Sequence, residues 1–228
     1  MKHAQKRQAT TTRERARSLL PSVLLTLLSM LQALALELFW TRIQSAEALW
    51  LGGFPAFLAW LQVVAVGVGI LEIWLFYMSL LLRFTWVPSV RDMLLPFGIG
   101  LLEFVLIDLT GRENAGLWLL CLSLIVSVSV TESHLIFRAA RRDESNAEFF
   151  RDVPRATMAD FYPQIAAVLP ILCIGLITLG SGASGWLAAA GVIYGIVALA
   201  WEMLVTSRYW SATISGRALE EEESEDGT

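Results

Sequence analysis

The sequence predicts an all-α polytopic transmembrane helix bundle with six spans and both termini cytoplasmic, on three observations. Apolar residues make up 56% of the 228 positions and charged residues only 17%, against roughly 45–50% and about 25% in soluble domains. The apolar residues gather in runs near the roughly 20 needed to cross a bilayer core. Basic residues fall on alternate connections between those runs.

Run length places the spans at about 19–40, 57–82, 93–109, 117–137, 163–180 and 186–207. With the N-terminus inside, fifteen of the 17 Lys and Arg lie in cytoplasmic segments, and only Arg42 and Arg112 lie outside. That split fixes the expected orientation, in the plasma (inner) membrane of the cell. Trp40, Trp50, Trp60, Trp118 and Trp186 fall near the outer ends of spans and Trp86 and Trp210 near the inner ends, as an aromatic belt would. Residues 1–18 read as a basic cytoplasmic arm, residues 19–210 as the membrane domain and residues 211–228 as an acidic cytoplasmic tail, both ends disordered. A competing reading takes residues 1–35, with a basic start and an Ala-x-Ala ending at Ala35, as a cleaved signal peptide. Against it, the apolar run continues through "LELFW", residues 36–40.

Two span starts look alike. "WVPSVRDMLLP", residues 86–96, and "DVPRATMADFYP", residues 152–163, each carry Val-Pro, then Asp, then a Pro expected in a first helical turn. Two similar helix starts explain this simply; a duplicated hairpin of the kind found in transporters is the less economical reading.

The spans also carry acids. Glu72 stands in "GILEIWLF", residues 69–76; Glu37, Glu103, Glu132 and Glu202 lie in four other spans, with His134 close to Glu132. A rise of 1.5 Å per residue puts Glu72 about 16 Å deeper than Arg83, near mid-membrane. A charged side chain at a helix centre costs roughly 2.5–3.5 kcal/mol even on the lenient insertion scale. No Lys or Arg interrupts the spans to compensate. The acids are therefore neutral, or wetted in a cavity, or bound to a cation. Their plain role is interhelical hydrogen bonding to partners such as Ser29, Gln32, Gln62, Ser127, Ser129 and Thr178, at about 1 kcal/mol or less each. As a set, Glu37, then Glu103 and Glu72, then Glu132, His134 and Glu202 form a ladder across the membrane, the pattern of a proton or ion path.

Other chemistries lack their residues. There is no HExxH, no Walker A or GxGxxG, and one His within the spans, so no catalytic residue, metal site, cofactor or nucleic-acid partner is expected. Cys121 and Cys173 both fall inside spans and form no framework. "GSGASG", residues 180–185, reads as a tight turn, and "GVIYG", residues 191–195, as a close helix contact, within the chain or between copies. "RAARRDESNAEFFRD", residues 138–152, reads as a solvated segment. The expected function is a proton- or cation-conducting channel or small secondary transporter. The alternative is a non-catalytic subunit or assembly factor of a larger membrane complex. Partners are the lipid bilayer and, on either reading, further copies or subunits. An enzyme acting on lipid or quinone, with Trp74 and Trp201 near Glu72 and Glu202, is the third reading.

Overall fold

The computed structural model describes residues 2–86, 89–151, 162–182 and 185–225; for residues 2–13, 16, 20, 90, 92–93 and 209–225 only the backbone is described. Among these residues every regular element is helical: α1 (Lys2–Ser45), α2 (Gly53–Arg83), α3 (Val90–Leu109), α4 (Ala115–Ala140), the short α5 (Ala147–Arg151), α6 (Tyr162–Ser181) and α7 (Trp186–Glu225). α1 begins at Lys2 and α7 continues to Glu225, so helical backbone runs through stretches that the sequence presents as tails. Arg17 shows α1 already engaged before its apolar run: it pairs with Asp143 and donates to Ser145 and Thr85.

Five helical stretches are long and apolar enough to cross a membrane: Arg17–Ser45, Gly53–Arg83, Ala115–Ala140, Tyr162–Ser181 and Trp186–Arg208. Their outward faces carry large apolar side chains such as Met30, Leu71, Ile177 and Val197, far more exposed hydrocarbon than a soluble monomer shows. The chain is a multi-pass membrane protein by these features. The count is one below the six of the sequence reading. α3 falls short because every 18-residue stretch of it holds at least three of Arg91, Asp92, Glu103 and Asp108.

The six long helices close into a ring in the order α1, α3, α4, α6, α7, α2 and back to α1, each packed on two neighbours. A ring of six cannot fill its own centre unless helices cross it. α4 and α7 do so at the end bearing the α1–α2, α3–α4 and α6–α7 turns. There Gly116 meets the Leu179 and Gly175 backbone, and Gly191 and Gly195 lie against Leu119 and Leu122. The GVIYG contact is thus made within the chain. Asn114 caps α4 by accepting from the Leu117 N–H at 3.0 Å. Gly182, at φ 64°, turns the chain out of α6.

The same end is tied by polar groups. The Arg42 Nε donates to the Thr110 carbonyl at 2.8 Å, and the Gly111 N–H donates to Gln62 Oε1 at 2.8 Å. Trp118 is fully buried and donates to Thr110 Oγ1 at 3.2 Å, while Trp86 is buried among Leu24, Leu80 and Phe84 at the opposite end. Those two indoles belong to the core, a correction to the expected belt; Trp40, Trp50, Trp60 and Trp186 are exposed, as a belt requires.

At the opposite, arginine-rich end the 138–151 segment folds back instead of floating in solvent. Asn146 is buried, donates to the Thr85 and Ala140 carbonyls and accepts from the Thr85 N–H. Phe149 and Phe150 pack on Phe84, with Arg83 over the Phe149 ring at 4.2 Å and Arg141 over Phe150 at 4.6 Å. The expected likeness of two helix starts does not hold. Pro96 lies inside α3, six residues past its first, whereas Pro163 is in the first turn of α6. Residues 152–161, which carry the rest of that motif, lie outside the described residues.

Candidate functional site

Where α4 and α7 no longer touch across the ring, a cavity of about 400 Å³ opens between α2, α3, α4, α6 and α7. Each wall follows from helical spacing. On α2 the lining positions are 65, 66, 69, 70, 72, 73, 76 and 77, and on α4 they are 122, 125, 126, 129, 130, 133, 134 and 137. Small residues at Ala65 and Gly69 leave room; a methyl group placed on Gly69 would meet nothing within 4 Å. The wall ends toward the turns at Ala65, Leu106 and Leu122, and reaches the exposed residues His134 and Phe137 toward the arginine-rich end.

Three of the predicted acids come from three helices to this wall: Glu72 from α2, Glu103 from α3 and Glu202 from α7. Glu72 is half-buried and its Oε1 accepts from Thr206 Oγ1 at 3.2 Å; its Oε2 is buried without a partner. Thr206 stands one turn beyond Glu202 on α7, and both line the cavity with Glu72. Glu103 is 3% exposed. Its Oε2 accepts from Gln32 Nε2 at 3.1 Å, and its Oε1 is buried without a partner.

The other candidates sit differently. Glu132 is buried on α4 behind the wall, where it accepts a hydrogen bond from the Tyr77 hydroxyl; Tyr77 itself lines the cavity. His134 lines it near the surface. Glu37 is exposed on α1 and is not on the wall, so the ladder loses its outer rung. Trp74 and Trp201 are exposed on the outer faces of α2 and α7 and do not line the cavity either.

Of the hydrogen-bond partners named from sequence, Gln32 serves an acid. Gln62 is spent on Gly111, and Ser127 donates back to the Ser123 carbonyl of its own helix at 2.7 Å. Thr206, Tyr77, Gln164 and Ser133, which also line the cavity, were missed. Thr206 was findable: four residues past Glu202 on one helix is the same face. Tyr77 and Gln164 carry no such signal, because their value depends on which helix faces which.

No Lys or Arg lines the cavity among the described residues. Nor do any three His, Cys, Asp or Glu among them gather into a group able to hold a metal ion. What the arrangement offers is separate carboxyl groups, two with an unpartnered buried oxygen, around an otherwise mainly aliphatic and aromatic chamber. Comparison with protein-family models, with curated proteins and with solved structures gives no match.

Proposed function

We propose that this chain is a plasma-membrane protein of six spans, both termini cytoplasmic, that moves protons or cations through its carboxyl-lined cavity as a small secondary transporter or channel. One observation carries the reading: Glu72, Glu103 and Glu202, on three helices, line a common chamber with no Lys or Arg on its wall among the described residues. Lipid avoidance turns any acid inward; what supports the reading is that these three share one chamber instead of being closed into separate helix seams. Closure at the turn end, where α4, α6 and α7 meet through Gly116, Gly175 and Gly191, favours alternating access over an open pore. α3 serves as the sixth span because it completes the ring; its Glu103 is sheltered from lipid. The gathering of fifteen basic residues on one side supports the orientation.

The test is flux. Protein reconstituted in liposomes passes protons or inorganic cations down a gradient, and Glu72→Gln cuts the rate roughly tenfold or more, the loss of one functional carboxylate in the membrane. Equal flux from the variant removes Glu72 from the mechanism. The alternative, a non-catalytic subunit or assembly factor, draws on the six acids in the last nine residues as a docking tail. It predicts no flux, and a co-purifying complex lost on deleting residues 218–228.

A further inference from the structure

From the wall of the cavity we infer that its substrate is a hydrophobic organic cation: an apolar body bearing one ammonium- or phosphonium-type charge. This rests on the cation-moving reading above and names the substrate class for the same site. Size comes first. About 400 Å³ lies within the roughly 300–1,000 Å³ of pockets that enclose drug-sized organic ligands, whereas one water occupies about 30 Å³. A bare proton or a single inorganic ion leaves most of that space to water against hydrocarbon.

The wall comes second. Ile70, Ile99, Leu106, Ile125, Val130 and Leu199 present hydrocarbon, and Phe76, Tyr77 and Phe137 add aromatic rings. Rings attract a bulky, weakly hydrated cation through their faces. A hard cation such as Ca²⁺ instead demands about 6–8 oxygen ligands around one point, and the described residues hold no such convergence.

The polar groups come third. Glu103 is 3% exposed, yet its Oε1 has no partner. Glu72 Oε2 and Gln164 Oε1 are likewise buried and unpartnered, and all three residues line the chamber. These oxygens are shut off from the chamber itself, so what meets a guest is the acidic character of the wall: Glu72, Glu103 and Glu202 line it, and no Lys or Arg does among the described residues. Those three acids lie on α2, α3 and α7, spread around a guest rather than gathered about an ion. Few polar groups in an apolar enclosure is the usual composition of a small-molecule site.

The experiment compares two probes of similar shape, methyltriphenylphosphonium and the neutral triphenylphosphine oxide, by equilibrium dialysis against the full chain in lipid nanodiscs, with empty nanodiscs subtracted. Wild-type protein binds the phosphonium saturably and roughly tenfold or more tighter than the oxide, a preference of about 1.4 kcal/mol. Glu103→Gln and Glu72→Gln lower phosphonium affinity so that the two probes approach parity, and a thermal unfolding midpoint in nanodiscs matching the wild type certifies that the variants fold. Equal binding of both probes by wild-type protein, or a phosphonium preference untouched in both variants, overturns the inference. Proton or inorganic-cation flux is measured on the same preparation. If it depends on Glu72 while phosphonium preference is absent, the cavity moves small ions and only the organic substrate falls.

Discussion

Glu103 and Gln32 show how a single pair is held within the bundle. The carboxyl group is 3% exposed and the amide 6%, and one hydrogen bond of 3.1 Å joins them. Removing one partner of such a pair strands the other, whereas removing both replaces a polar contact by a packed one. Gln32→Leu should therefore lower stability by about 1–3 kcal/mol, and Gln32→Leu combined with Glu103→Leu should recover most of that loss. Thermal unfolding in one detergent, followed for the wild type and both variants, reads the difference. A double variant no more stable than Gln32→Leu alone would mean that the amide packs but does not compensate the acid. The two residues could be read as intramembrane polar groups from sequence alone, because hydrocarbon makes any such group conspicuous. Their pairing could not, since a sequence separation of 71 is closed only by the contact of α1 with α3.

At the scale of elements, run length placed all six long helices to within a few residues, apart from the two tails. Run length reports the hydrocarbon each helix offers, and that survives folding unchanged. The tryptophans show the limit. Trp118 and Trp60 have the same composition around them, yet one is in the core and the other at the rim, which only the neighbouring helix decides. Glycine contacts carry the strongest element-level consequence. A Cβ on Gly116 would stand 2.5 Å from the Leu179 nitrogen and 2.9 Å from the Gly175 oxygen, well inside the roughly 3.5 Å of ordinary contact. Both are backbone atoms and cannot rotate away. Gly116→Ala should cost about 1–3 kcal/mol, whereas Gly98→Ala, with nothing within 4 Å, should be neutral or slightly stabilising. Denaturant titration in mixed micelles compares them, and matching midpoints would show that α4 and α6 separate without penalty.

For the whole molecule, the decisive feature is that α4 and α7 meet at one end of the ring and part at the other, leaving a chamber on the arginine-rich side. No property of any one helix contains that fact; it comes from glycines at one end of two helices and from small residues at the facing positions of α2. Gly69 makes the point testable. It lies on the chamber wall with open space before it, and glycine within a helix is less stable than a residue with a side chain by roughly 0.5–1 kcal/mol. Gly69→Leu should thus fold at least as well as the wild type while its side chain occupies the cavity. Gly67→Leu, on the same helix, with equal open space and off the wall, gains the same propensity without filling anything. Phosphonium binding and cation flux should fall about tenfold or more in the first variant, as expected when about 1.4 kcal/mol of binding is lost, and remain at wild-type level in the second. Stability and function then move in opposite directions at one position, which a purely structural cavity cannot produce. Unchanged binding and flux in Gly69→Leu would show that neither passes through the chamber.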